Sequence, residues 1–296
     1  MASEFDPNTA SVRELAANIP PNAYGITGNK SASGEVKARM DCHGPLLARV
    51  HDIKSPGTSR APATGIFAHN RLEQAVQHHI DTGKIIEQGL FRELIDKSLE
   101  DTRFGYDIDD ISEDEIEDTI AGAREYSNAL YPILETINDP QFTEEKLYFD
   151  LETEQRNHEM VAIIDVVDVD PEPGPNGKHS LRVRDLKTSS TFQPDRYLKS
   201  PQMAIYTAAM TANNMPTQLA RVDHLRRLKT GVKYNEISMI RGPKHWEHLG
   251  VLLDQMHDVI EQNKFTFNPS SWLCNERCPL WDRCEFRYPD SIAQSA

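Results

Sequence analysis

No apolar run in the 296-residue chain approaches the roughly 20 residues that a membrane helix needs. An excess of basic charge is also missing: 32 Lys and Arg against 46 Asp and Glu give a formal net charge of −14. That balance excludes a general electrostatic coat for nucleic acid, while leaving room for a local basic groove. The N-terminus, MASEFDPNTASVRELAANIPPN, has no basic region followed by an apolar stretch, so it does not read as a secretory signal. A cytoplasmic location, with no membrane association, is expected. Cysteine is scarce, at Cys42, Cys274, Cys278 and Cys284 only. A disulfide framework is therefore not expected in a cytoplasmic chain of this size, and a metal or cluster site is the better use for four thiols. No Walker motif occurs. GITGNKS at 25–31 echoes a phosphate loop, but Asn29 separates Gly28 from Lys30 and no strand precedes it, so no nucleotide cofactor is expected.

What remains is 38% hydrophobic and 7% aromatic, which suits a folded chain long enough for a sizeable core. Residues 1–30 read as a flexible lead-in with a short helix around Val12–Ala17, and 31–296 as a single domain. A helix capped by Ser33 is predicted to run past Cys42. Residues 52–64 read as an irregular connection, followed by helix from Gly65 to about Leu99. The acidic stretch after it carries Ser112 and Glu115 as a capping box, with Ile111, Ile116, Ile120, Leu130 and Ile133 on one face. Its charges at 107–118 read as a solvated face. Residues 65–140 thus form a helical region.

The pattern then becomes β-rich at 144–152, 159–170 and 179–189, with the turn PEPGPNGK between the last two. Helix is predicted over Asp195–Asn213, then a hairpin in QLARVDHLRRLKTGVKYNEISMI. A further helix from about Pro243 to Gln262 leads to the cysteine-bearing tail. Residues 144–240 make a mixed α/β core, and 243–290 a helix plus cap joined to Cys42.

Within LRVRDLKTSS (181–190), Leu181, Val183, Asp185 and Lys187 lie two apart and share one strand face. An apolar stripe there gives way to a carboxylate and an ammonium. Asp165, in AIIDVV, sits in a strand apolar on both sides, where a lone carboxylate is costly without a cationic partner. Pairing of the two strands as a hairpin brings Asp165 and Asp185 to a common point. Two carboxylates and the carbonyl of Leu186 make a hard oxygen site suited to Mg²⁺ or Mn²⁺. Lys187 is then placed to orient or help deprotonate a water and to offset phosphate charge. A D-x-K strand alone is also what an ordinary salt bridge looks like.

An aspartate in one strand, D-x-K in the next, and a helix with Gln202 and Tyr206 four apart in QMAIYTAAM together resemble the PD-(D/E)XK nuclease superfamily. GIFAHNRLE, with Gly65, His69, Leu72 and Glu73, resembles the upstream helix of its RecB-like branch. Ala162 stands where that family often has glycine. The resemblance implies a restriction-endonuclease-like α/β core, a central mixed sheet flanked by helices, with a helical insertion and a C-terminal cysteine-ligated cap. It implies catalytic Asp165, Asp185, Lys187, Gln202 and Tyr206, and a Mg²⁺ or Mn²⁺ ion held by His69, Asp165, Asp185 and Leu186.

The tail CNERCPLWDRCEF, together with Ser31, Ser33 and distant Cys42, resembles the iron–sulfur members of that branch. These are the CRISPR-associated exonucleases, the AddB-type nuclease subunit and a eukaryotic single-strand exonuclease family. The gap between Cys274 and Cys278 is one residue longer than usual, and Pro279 is in place. Cys42, Cys274, Cys278 and Cys284 are accordingly expected to hold a [4Fe–4S] cluster, with zinc or unligated thiols as alternatives. In the basic hairpin, Arg226, Arg227 and Lys229, with Arg221 and Lys233, are candidate phosphate contacts. Phe192 and Tyr197 are candidates for base stacking. The function implied is a metal-dependent DNA exonuclease acting chiefly on single strands in recombination, repair, replication or defence, with a helicase or recombination protein as partner. The rival reading is a non-catalytic DNA- or protein-binding subunit that keeps the fold and a structural cluster or zinc site.

Overall fold

A strand buried on both faces must find backbone partners on each side, and the β-rich segments of this chain supply them to one another. The computed structural model describes residues 5–20, 30–31, 42–53, 60–101, 113–173, 177–269, 274 and 278–286. Its elements, in chain order, are α1 (Val12–Ala17), β1 (Lys30–Ser31), α2 (Gly44–Val50), α3 (Arg60–Thr82), α4 (Gln88–Asp101), α5 (Glu113–Asn128) and α6 (Tyr131–Leu134). They continue with β2 (Phe142–Glu152), β3 (Asn157–Val169), β4 (Leu181–Ser189), α7 (Pro194–Leu198), α8 (Gln202–Ala212), β5 (Leu219–Leu228), β6 (Gly231–Ile240) and α9 (Pro243–Glu261). A short 3₁₀ turn covers Trp281–Arg283. Two compact units result. The first holds residues 58–147 and 162–244, and the second 1–57, 148–161 and 245–296.

In the first unit the strand order is β3-β4-β5-β6, with β2 on β3. β3 and β4 are antiparallel, with Val166 opposite Arg184. β4 and β5 are parallel, Asp185 beside Val222 and Lys187 beside His224. The β5–β6 hairpin turns at Lys229–Thr230, where Gly231 takes φ 121° at no steric cost. This is the mixed sheet with flanking helices that the sequence predicts. Helix α3 buries Thr64, Phe67, Ala68, Arg71, Leu72, Ala75 and Val76, spaced three and four apart. Its apolar stripe joins Phe91 and Ile95 of α4, Ile133 of α6, and Val166, Leu186 and Leu225 of the strands in one core. Each such buried side chain contributes about 1.5–3 kcal/mol.

Several boundaries differ from expectation, among them that of the acidic helix, which ends at Asn128 and leaves Ile133 in α6 with Leu130 as its N-cap. The helix expected from Gly65 starts at Arg60, because Pro62 falls in the first turn, where a missing N–H costs nothing. It is split into α3 and α4 at Gly83, whose φ of 69° ends the first helix. The helix expected over 195–213 is two, α7 and α8, since Pro201 disfavours helical backbone at Ser200. Ser33 and the cap at Ser112 lie outside the described residues, as does Ile111. The helix expected to run past Cys42 does not include it, since Cys42 and His43 are non-helical and α2 starts at Gly44.

Beside the apolar core runs a buried ionic network. Arg184, 1% exposed, donates to Asp223 at 2.8 Å, to Asp168 at 3.2 Å and to Thr136 at 2.8 Å. Arg182 donates to Asp168 at 3.0 and 2.6 Å. Arg221 donates to Asp223 at 2.9 Å and pairs with Glu236 at 2.5 Å, while the Tyr234 hydroxyl donates to Asp223 at 2.6 Å. Arg221 was expected to face phosphate; it is buried here with all its charge engaged, and that expectation is corrected.

In the second unit, α1 begins at a capping box between Ser11 and Glu14, and its Val12 and Leu15 are fully buried. The expected lead-in therefore includes a helix packed into a core, with Leu47, Ala48 and Leu280. β1 pairs with β3, Lys30 opposite Met160. Helix α9 buries Leu249, Leu253, Met256 and Ile260 along one stripe. Its Asp254 accepts from Thr153 at 3.2 Å and meets His158 Nε2 at 2.9 Å. The tail is clasped to the start of α2: His43 N donates to Thr266 O at 3.0 Å, and Thr266 N to His43 Nδ1 at 2.7 Å. Among the described residues no helix is long and apolar enough to cross a membrane.

Candidate active site

Asp165 lies in β3 one residue before the β3–β4 ladder begins at Val166. The next inward donor, Leu186 N, bonds instead to Asp165 Oδ2 at 2.7 Å. The ladder opens here because a side chain has replaced a backbone carbonyl. His69 Nδ1 reaches the same oxygen at 3.2 Å from α3. That approach depends on Gly65, one turn earlier: a Cβ there would lie 2.7 Å from Thr188 Oγ1 of β4. The glycine of the upstream motif thus lets helix and strand close together.

Asp185, fully buried, is fixed from two sides. Gln202 Nε2 donates to its Oδ1 at 2.8 Å and to the Tyr206 hydroxyl at 2.7 Å, and that hydroxyl donates to Oδ1 at 3.4 Å. On the other side Lys187 Nζ stands 2.6 Å from Oδ2. Gln202 and Tyr206 converge because residues four apart share a helix face, and α8 packs on β4 and β5. The structure therefore brings His69, Asp165, Asp185, Lys187, Gln202 and Tyr206 into one constellation. At Leu186 it is the amide that meets a site residue.

Glu144 was not singled out in the sequence. His69, Glu144 and Asp165 each offer a ligand atom within 4.8 Å of the others. Glu144 stands in β2 with φ 48°, a left-handed backbone that residues other than glycine rarely adopt. In TEEKLYF it is indistinguishable from an acid on a solvated strand face. Asp185 is outside this trio, its oxygens engaged by Lys187, Gln202 and Tyr206.

Charge follows from this packing. Burial pushes the Glu144 carboxyl up to about 7, with Asp165 adding to the rise. Burial also pushes Asp185 up, to about 6, Lys187 opposing and Asp165 assisting. For Asp165, burial is outweighed by His69, Lys187 and the Leu186 amide, which hold it below its ordinary value. Burial would lower His69 and Lys187, but Asp165 and Asp185 outweigh it and raise both. Lys187 thus keeps its proton, which suits it to donate to an anion and not to deprotonate water.

The candidate phosphate contacts are less open than expected. Arg227 pairs with Glu125 at 2.8 Å and Asp118 at 3.6 Å, and a Cβ at Gly122 would sit 2.9 Å from its Nη1. Arg226 donates to Ser190 O at 3.3 Å. Lys229 is exposed in the hairpin turn.

In the second unit no disulfide links the described cysteines. Burial pushes the Cys278 thiol up to about 11, and Cys42, Cys284 and Cys274 add to the rise. A Cβ on Gly44 would lie 3.6 Å from Cys278 Sγ and 3.7 Å from Cys42 Sγ, so a glycine there leaves the thiols room.

Comparison with known proteins follows the same lines. The family model of the PD-(D/E)XK nuclease superfamily matches residues 46–285. No curated protein is significantly similar to the chain. Among solved structures, a candidate exonuclease from Eubacterium rectale aligns at 11% identity and TM-score 0.51, over 92% of this chain and 94% of that one. The crystal structure of SSO0001 aligns at 12% identity and TM-score 0.36, over 76% of this chain and 98% of that one.

Proposed function

The chain belongs to the PD-(D/E)XK nuclease superfamily, and from that premise we propose that it is a divalent-cation-dependent DNA exonuclease acting on single strands. The observation that carries the reading is the convergence of His69, Glu144 and Asp165 within 4.8 Å, next to the Asp185–Lys187 pair. An imidazole nitrogen with carboxylate oxygens is a donor set that suits Mg²⁺ or Mn²⁺. His69, Glu144 and Asp165 would hold such an ion, with Asp185 beside them. When bound, it supplies Lewis acidity to the phosphate and lowers the pKa of water.

The chain's own groups do the rest. The Leu186 amide and His69 hold Asp165 in its anionic form. Gln202 and Tyr206 fix the plane of the Asp185 carboxylate, which sets the Lys187 ammonium beside it. Lys187 donates to a phosphate oxygen and offsets the charge that builds there during hydrolysis. The expected exonuclease mode also agrees with the Eubacterium rectale neighbour's description.

We assign the four cysteines to a [4Fe–4S] cluster of the RecB-like kind, with zinc as the alternative. Their fit rests on the mutual proximity of the thiols and on the space left by Gly44. The role assigned is structural, tying Cys42 to the tail. Brown protein with broad visible absorption after anaerobic purification supports the cluster; colourless protein with stoichiometric zinc selects the alternative.

The enzymatic reading is tested with end-labelled single-stranded DNA and Mn²⁺. Wild-type protein is expected to shorten the strand, and Asp185→Ala and Lys187→Ala to lose that activity while remaining folded by circular dichroism. Binding without cleavage by wild-type protein would instead favour a non-catalytic subunit.

A further inference from the structure

Next to Lys187 lies a group of rings that neither the ion pair nor the core requires. In the parallel β4–β5 register Lys187 stands beside His224, so the two side chains share a face on strands about 4.8 Å apart. His224 is completely buried, and its Nε2 lies 2.8 Å from Ser189 Oγ. Ser189 Oγ donates to Thr191 O at 2.5 Å, so it accepts from Nε2–H. In that tautomer the His224 proton sits on Nε2, and buried Nδ1 has no hydrogen-bond partner among the described residues. Burial, and then Arg226, hold this ring down at about 4, so it is neutral at physiological pH.

Over His224 lie Phe192 at 5.0 Å and Tyr197 at 5.5 Å between ring centroids, 6.4 Å from each other. His224 is sealed, but Phe192 and Tyr197 are only half-buried. Tyr197 is close enough to Lys187 and Asp185 for their charges to act on it. Two half-exposed rings on a rigid, neutral base, beside an ammonium suited to phosphate, match what an unpaired nucleotide presents: a flat π-face next to an anion.

Resting on the proposed nuclease reading, we infer that Phe192 and Tyr197 form a stacking shelf for one unpaired base of the DNA strand whose phosphate meets Lys187. A base in a duplex is already stacked on both faces, so the shelf selects single-stranded ends.

The test measures binding of labelled oligothymidine, with Ca²⁺ in place of Mn²⁺ so that affinity is read apart from cleavage. Phe192→Leu and Tyr197→Leu, which keep apolar volume and lose the π-face, should each weaken binding about 5- to 150-fold. Phe192→Tyr should restore it. Oligonucleotides with one abasic nucleotide, scanned from the end, should show a single position where wild-type affinity drops by a similar factor. At that position Phe192→Leu should lose nothing further. This scan uses wild-type protein, so it stands even if a variant folds poorly. A flat abasic scan, additive losses in the Leu variants, or equal affinity for duplex would overturn the shelf. Cleavage in Mn²⁺ with a flat scan removes the shelf alone; a coupled scan without cleavage keeps the shelf and removes the nuclease reading.

Discussion

Two ionic clusters in the first unit share strand β4, and they are balanced differently. In one, Arg182, Arg184 and Arg221 meet Asp168, Asp170, Asp223 and Glu236, and each acid has a guanidinium within 3.3 Å. There the guanidiniums outweigh burial, and Asp223 is held below its ordinary value while Arg184 is raised above its own. In the other, Glu144, Asp165 and Asp185 share one ammonium and one imidazole, and burial raises Asp185 to about 6 and Glu144 to about 7. Acids outnumber cations by one in both, four to three and three to two; contact separates them, since every acid of the first has a guanidinium within reach, whereas burial prevails at Glu144 and Asp185 in the second. A cluster whose acids are all paired, the balanced one, fixes strands, whereas one whose acids are raised by burial is completed by positive charge from outside.

The sharpest way to break this contrast is to delete one acid from the balanced cluster. Asp223→Ala strands Arg184 in the interior and should cost about 3–5 kcal/mol in urea unfolding. Stability unchanged by that substitution would mean the network is not structural. Lys187→Ala should weigh on chemistry instead, lowering cleavage about 10²- to 10³-fold with a smaller loss of stability, because Asp185, already raised to about 6, can take up a proton once the ammonium is gone. A large loss of stability in this variant would erase the distinction between the clusters. Gly65→Ala should fall between, costing about 1–3 kcal/mol as Thr188 yields to the new methyl group, and lowering activity through His69. Thermal melts with added Mn²⁺ should show the shift on cation binding reduced in this variant.

The smallest effect is a pH dependence without added cation. Glu144 is raised from 4.5 to about 7, so the folded state binds its proton more tightly than the unfolded state. The stability this contributes is complete below pH 4.5 and lost as pH rises through about 7. Wild-type protein in chelator should therefore lose more stability between pH 5 and pH 8 than Glu144→Gln does. Equal slopes for the two proteins would place Glu144 outside the acidic cluster. Added Mn²⁺ should flatten the wild-type slope.

Much of the sheet was legible because strands declare themselves by alternation and by the Pro/Gly turn between β3 and β4. The proximity of Asp165, Asp185 and Lys187 followed from that pairing, whereas for Gln202 and Tyr206 spacing gave only a shared helix face and their place at the site was implied by the family resemblance. Glu144 was not legible, since its left-handed backbone and its burial are tertiary facts that no local pattern records. The ionic network was hidden for a related reason. Arg182 and Arg184 alternate with apolar residues, a local pattern that a solvated face would give as well, and only the partners at Asp168 and Asp223 reveal them as interior. Arg221 was misread on the same ground. The break at Ser200–Pro201 could have been drawn from proline alone.

The parallel pairing of β4 with β5 has a consequence for how the molecule is made. Such neighbours cannot be joined by a tight turn, so α7 and α8 must cross over before β5 can dock. Every side chain assigned to the hydrolytic site precedes residue 207, yet the strand that clamps β4 from its second edge begins at Leu219. A nascent chain halted at Ala212 would carry all of those groups and no settled arrangement for them. Any hydrolytic activity of the chain would thereby wait until translation has passed the hairpin.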